Sequence, residues 1–317
     1  MTTFHELLQR LPSDAAGLVD RVVDPARRAS QLTVVGARSL ALASSSDVVF
    51  CKSVSPKLLA DVAASAAEMI VTTSDVYAAI PEEDRRDRIF VLTARPRVVL
   101  SALTLPLVPV QRWQSGDPRR APTVRIAPDA EVAPGVVIGE HVSIGARSVI
   151  GPNTVLSHVH IGDDTIIGAN CSIGGQGFSF ESDPETGAVM KVPHFGRVVI
   201  GSRVEVYSNV CIARGSFGDT IIDDDVKIDN LVHIAHNCHI QRGAFIIANA
   251  MIAGSVTVGE GAWIAPSTSV LNGSSLGRHA MTGLGAVVTK SVDDNTLVVG
   301  VPAKALRARY PSQTSSS

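Results

Sequence analysis

The chain has 317 residues, 28 Lys and Arg against 30 Asp and Glu, a formal net charge of −2, 45% hydrophobic residues and only 4% aromatic ones. That length suffices for two domains with a sizeable core, and the near-balanced charge argues against nucleic acid or an anionic membrane surface as the main partner, because either leaves a clustered excess of Lys and Arg. Cys51, Cys171, Cys211 and Cys238 are too few and too scattered for a disulfide scaffold and form no CxxC pair, which fits a reducing compartment.

The opening MTTFHELLQRL reads as an amphipathic helix and not as a leader, and no long uncharged apolar run follows. The expectation is a soluble cytoplasmic protein without integral membrane contact. Up to about Arg120 the pattern is that of a small α/β domain. The β-branched runs LTVVGA and DVVFC precede a helical stretch from Pro56 to Ala67, which leads into MIVTT. Next comes VLTARPRVVLSALTLPLV, a strand followed by a helix. The polar, Pro-containing RWQSGDPRRAPT then breaks the pattern, which divides the chain into residues 1–120, 121–300 and 301–317.

From Val124 onward branched aliphatics recur every six residues: Ile126, Val132, Ile138, Ile144 and Ile150, then, after a one-residue slip, Ile161, Ile167 and Ile173. The series resumes after an insertion at Ile200, Val206 and Ile212, and after a second insertion it runs from Ile222 to Leu276 without a miss. Two residues before each aliphatic stands a second column of Val, Ala, Ser, Thr or Cys, never large or charged. Two such columns over roughly 25 repeats are the hexapeptide signature of a parallel β-helix, with three hexapeptides to a triangular coil. The first insertion, GGQGFSFESDPETGAVMKVPHFGRV, begins after Ile173, and the second, RGSFGD, follows Ala213. Long excursions from a rigid scaffold are where binding concentrates. GGQGF suits either a phosphate cradle or a flexible corner, and Lys191 and His194 offer groups to meet a phosphate or hydroxyl. The chain closes with VPAKALRARY, a short basic helix pattern, and with PSQTSSS, whose composition is that of a disordered tail.

With the two inward columns assigned, His233, His236 and His239 face outward. Residues eighteen apart lie one above the other, so His236 stacks on Gly254 and then Asn272. An imidazole beside a glycine offers a general base next to an unobstructed backbone N–H, the combination that acyl transfer needs. His233 stacks over Met251 and Ser269. The plainer reading, three surface or subunit-interface histidines, stays open. HxxHxxH places His233 and His239 on different faces of one prism, so a shared ion would need an adjacent subunit to bring ligands across; no metal and no bound cofactor are expected. Cys171 and Cys238 point inward as packing residues, and Cys211 faces outward without an activating base nearby in sequence.

IGGQGFSF, KVPHFGRVVIG and RGSFGDTIIDDDVKIDNLVHIAHN resemble the UDP-3-O-acylglucosamine N-acyltransferase family of lipid A assembly. The resemblance is strongest over Ala121 to Gly300 and looser in the N-terminal domain, through VVFCKSVSPKLLADVAASAAEMIV and ARPRVVLSAL. It implies a left-handed β-helix, a homotrimer with active sites between subunits, and acylation of the 2-amine of a UDP-sugar. It also implies His236 as general base and Gly254 as a backbone donor to the acyl carbonyl. Asn230 and the Gly177–Phe178 loop would border the sugar or acyl groove, and Phe50 would contact the nucleotide. Three places depart from the pattern. LNGSSL at Leu271 to Leu276 stands where the family has a second histidine, Leu58 and Leu59 stand where an aromatic would help hold uracil, and VVGVPAKALR resembles the ending of acetyl-CoA-dependent sugar acetyltransferases in place of a long helix.

The expectation is therefore a mainly β protein, a hexapeptide β-helix after an α/β domain, that transfers an acyl group from acyl-ACP or acyl-CoA to the amine of a nucleotide-linked amino sugar. His236 and Gly254 are the catalytic candidates. Phe50, Gly177, Phe178, Asn230, His233 and Asn272 are the substrate-binding ones. Alternatives are an acetyl-CoA-dependent enzyme acting on another nucleotide amino sugar, a metal-dependent hydratase on the same repeat, and a non-catalytic sugar-nucleotide-binding β-helix.

Overall fold

The computed structural model describes residues 2–108, 123–182, 187–302 and 304–308. They form two compact units. One holds the N-terminal residues together with the segments from Ser179 to Phe195 and from Ser216 to Gly218, and the other holds the repeats.

The first unit is built on a five-stranded sheet in the order Arg21–Val23, Ile89–Leu92, Met69–Thr72, Asp47–Cys51, Gly36–Ala37. The last four strands run parallel and Arg21–Val23 antiparallel. Both faces are covered, which is why the strands read as unbroken apolar runs. Val48, Met69, Val71, Ile89 and Val91 pack with Phe4, Leu7, Val99, Leu100 and Leu103 on one face. Val49, Cys51, Ile70, Phe90 and Leu92 pack with Val62, Val76 and Ile80 on the other. Two of the helices start at side-chain caps. Thr3 and Glu6 form a capping box ahead of Phe4–Gln9, and Ser55 accepts from the Leu58 N–H at 3.0 Å ahead of Pro56–Ala64.

The inserted segments correct one expectation. Part of each insertion, read as a free corner excursion, belongs to this unit, and each supplies a buried apolar residue to its core. Val192 and Phe217 sit in the same cluster as Phe4 and Val48. The Phe217 ring meets Phe50 edge-on at 5.6 Å, and Arg97 bridges Ser179 Oγ (3.1 Å) and the Glu181 carboxylate (3.0 Å).

The second unit is the expected β-helix. Three sheets of eight, eight and ten strands run its length. Successive coils pair in parallel with an eighteen-residue register, His233 on Met251 and Met251 on Ser269. The aliphatic column from Ile222 to Leu276 is buried to 1% or less, and the small column joins it in one continuous core. Ser and Thr are tolerated inside because their hydroxyls bond the neighbouring coil: Ser148 Oγ donates to the Gly162 carbonyl at 2.8 Å and accepts from the Thr165 N–H at 3.0 Å. Leu156 also belongs to the column, so the slip falls after it, at the shortened corner Ser157–His158. The first coil is less enclosed, with Ile126, Val132 and Ile138 only partly buried.

At the other end, Lys304–Ala308, expected as helix, is a strand antiparallel to Thr296–Val299. The unpaired edge of the last coil offers a ladder that a short isolated helix could not match. The expected boundary segment and the tail after residue 308 lie largely outside the described residues. No helix among the described residues is long and apolar enough to cross a membrane.

Candidate active site

Both insertions leave the prism at one corner, after the stacked strands that contain Ile173 and Ile212. One coil further on, after Ile234, the same corner carries Ala235, His236 and Asn237. Asn237 adopts φ 60°, a left-handed conformation that Asn tolerates better than most side chains. Its N–H donates to Thr220 Oγ1 at 2.8 Å, and its side-chain oxygen lies 3.1 Å from His236 Nδ1. With the Asn237 oxygen as acceptor, that pairing puts the imidazole proton on Nδ1 and makes Nε2 the basic nitrogen.

On the next coil the ring overlies Gly254. A Cβ added there would meet His236 Cε1 at 2.7 Å, His236 Nε2 at 2.8 Å and Asn272 Oδ1 at 3.0 Å. Glycine is needed at this position for space, since its backbone lies outside the left-handed region. The Gly254 carbonyl accepts from the Gly273 N–H, while its own N–H donates to no group among the described residues. A base and a free donor thus stand on adjacent coils of a rigid stack.

These groups line a groove of about 450 Å³. It brings together six of the expected residues: His236, Gly254, Asn272, His233, Gly177 and Phe178. Phe178 is 89% exposed at its rim. Neighbouring atoms desolvate His233 and lower its pKa, favouring the neutral imidazole. Two expected residues lie elsewhere. Asn230 sits at a different corner of the prism, where its side-chain oxygen accepts from the Ser208 N–H at 3.1 Å and its amide donates to Asp229 at 2.8 Å, a turn-holding position. Phe50 belongs to the α/β unit, half-buried against Phe217.

Two groove residues went unremarked as ligand-facing. Cys211 stands beside His233 in strand register; burial pushes its thiol pKa up, which keeps it protonated and unsuited to attack. Gln176 lines the groove with a buried side-chain oxygen that has no partner among the described residues. Gln176 lies inside the first insertion and Cys211 between the two, so the eighteen-residue count reaches neither residue. His239 is held apart from the groove, its Nε2 2.9 Å from Asp223 Oδ2 on a neighbouring face.

The stacked repeats define a hexapeptide β-helix protein carrying a histidine–glycine corner site. Residues 122–152 match the bacterial transferase hexapeptide (six repeats) family. The chain is similar to the UDP-3-O-acylglucosamine N-acyltransferase of Caulobacter sp. (strain K31), 39% identical over 155 residues that make up 49% of this chain and 45% of that protein. It is also similar to the probable mitochondrial UDP-3-O-acylglucosamine N-acyltransferase 2 of Arabidopsis thaliana, 37% identical over 48% of this chain and 49% of that one. The match thus spans about half the length of these relatives. Among solved structures, the UDP-N-acetylglucosamine acyltransferase from Campylobacter jejuni shares the fold, with TM-score 0.50 and 20% identity over 59% of this chain and 74% of that chain.

Proposed function

We propose that the protein is a thioester-dependent N-acyltransferase acting on a nucleotide-linked amino sugar of the UDP-3-O-acylglucosamine type. The observation that carries this reading is the His236 imidazole, oriented by Asn237 and laid over the bare backbone of Gly254. The similarity to N-acyltransferases named for that substrate supports it.

In this reading the sugar amine attacks the thioester carbonyl while His236 Nε2 takes its proton. The oxygen of the tetrahedral intermediate gains negative charge and is met by the Gly254 N–H. The C–S bond then breaks, and the imidazolium returns its proton to the departing thiolate. Asn237, accepting from Nδ1–H, holds one tautomer through the cycle. His233, Asn272, Gln176, Gly177 and Phe178 line the groove for the acyl chain or sugar, and the α/β unit holds the nucleotide through Phe50. The assembly is a cytoplasmic homotrimer, and the acyl donor is a carrier-protein or CoA thioester. The domains divide near residues 120 and 300. No bound cofactor takes part in these steps.

The test is thioester consumption by the purified chain, offered UDP- and dTDP-amino sugars with either a hydroxyacyl carrier protein or acetyl-CoA. Turnover with UDP-3-O-acylglucosamine and the carrier protein supports the full reading. Turnover only with acetyl-CoA and another amino sugar keeps the mechanism and replaces the substrate. No turnover with any pair rejects acyl transfer in favour of a binding role.

A further inference from the structure

The same corner of the prism carries a second cluster near its N-terminal end, in the two coils that bracket the one-residue slip. Glu140, His141 and His158 each offer one ligand atom, and the three atoms lie within 4.8 Å of one another. The backbone clamps them together: the His158 N–H donates to the Glu140 carbonyl at 2.7 Å, and the Val159 N–H to the His141 carbonyl at 3.1 Å. Both histidines occupy left-handed positions, φ 55° and 47°, where the other corners place mostly Asn, Asp, Arg or Ser. Their rings stand 5.0 Å apart, tilted by 53°. The shortened corner brings them into this stack, since it sets His158 seventeen residues after His141 and not eighteen.

We propose that Glu140, His141 and His158 form a binding site for a borderline divalent transition ion such as Zn²⁺. Two imidazoles and a carboxylate are the donor set such ions select. The buried Ser157 hydroxyl lies 2.7 Å from His158 Nδ1, the outer contact that orients a ligating histidine and leaves Nε2 for the metal. Ligand atoms in a tetrahedral zinc site lie about 3.3 Å apart. The cluster therefore closes by about 1.5 Å on metal entry, a movement open to Glu140 and His141 because both are exposed. The Arg214 charge reaches His158 from further along the corner, and a coordinated Glu140 carboxylate would balance part of the added charge of the ion. The site lies three to four coils from His236, roughly 15–20 Å at the inter-strand spacing, so it stands outside the groove. Its chemical effect is to pin the first coil, the least enclosed of the stack, to the second.

The test is titration of the full chain with Co²⁺ alone, read by visible d–d absorption, followed by Zn²⁺ competition. The site predicts one equivalent per chain with an imidazole-ligated spectrum. His141→Asn, which suits the left-handed backbone, and Glu140→Gln, at an exposed position, should each weaken binding at least tenfold without changing thioester turnover. Absence of the band in the unsubstituted chain overturns the proposal. So does affinity within twofold in either variant. If His141→Asn fails to fold, Glu140→Gln decides alone.

Discussion

Gly254→Ala tests whether the His236 ring overlies the backbone in the working protein. The new methyl would stand 2.7 and 2.8 Å from two ring atoms, against an ordinary contact of at least 3.4 Å, so the imidazole must retreat by about 0.6–0.7 Å. Turning a side chain this far off its rotamer costs about 0.5–1.5 kcal/mol. A catalytic group displaced on the order of 1 Å loses about 10² in rate. Since the Gly254 backbone lies outside the left-handed region, alanine adds no φ strain, and the melting temperature should fall by only a few degrees. The assay is kcat for thioester consumption with thermal melting in parallel, in Gly254→Ala, His236→Ala and the double variant. The expected outcome is a loss of about 10² in each single variant and little further loss in the double, because both act through one imidazole. Additive losses, or full activity in Gly254→Ala, would refute the geometry; a collapse of the melting temperature would show that the glycine serves the fold.

Asn237→Gly removes the oxygen that holds His236 Nδ1 and keeps a residue suited to φ 60°. kcat should fall about tenfold with KM unchanged, and Asn237→Asp should retain activity; equal KM and kcat losses would point to disruption of the groove. Because desolvation by its neighbours raises the Cys211 pKa, iodoacetamide should alkylate this exposed thiol more slowly than a small free thiol at neutral pH, with the rate still climbing above pH 9; a fast, pH-independent reaction contradicts the raised pKa. Asp225 is held down to about 2, chiefly by hydrogen bonding to Arg203 and further by Arg242. A carboxylate with a depressed folded pKa contributes stability above its unfolded value near 4, and that contribution disappears as pH falls toward 2. Asp225→Asn should therefore flatten the melting-temperature profile between pH 4 and 2, and an unchanged acid limb would remove the ion pairs from the account.

The prism was legible because its core is built from two short-period columns. Every inward position repeats, so two columns of small and branched residues determine strand, face and stacking together, and His236, Gly254 and Asn272 fall in line by counting eighteens. The same arithmetic fails wherever the period breaks. Leu156 hid the true place of the slip, and with it the approach of His141 to His158. Gln176 lies inside the first insertion and Cys211 between the two, so neither belongs to an unbroken count. The insertions' own role was obscured because Val192 and Phe217 look like loop residues in sequence, and only the folded chain shows them completing the α/β core. The segment Lys304–Ala308 carries a helical composition, but strand pairing with Thr296–Val299 decides its structure, a tertiary preference that local propensity does not encode. Asn230 is a position that the count alone does not single out: within the chain its amide holds a turn.

The most direct measurement of the central claim is single-turnover acyl transfer by His236→Ala against the unsubstituted chain, with melting temperatures recorded for both. Since His236 is half-exposed at a turn and supports no core contact, the account predicts a rate loss of about 10² or more with the fold intact. Transfer within twofold of the unsubstituted rate, in a variant that melts normally, would contradict the assignment of His236 as the base and the mechanism built on it.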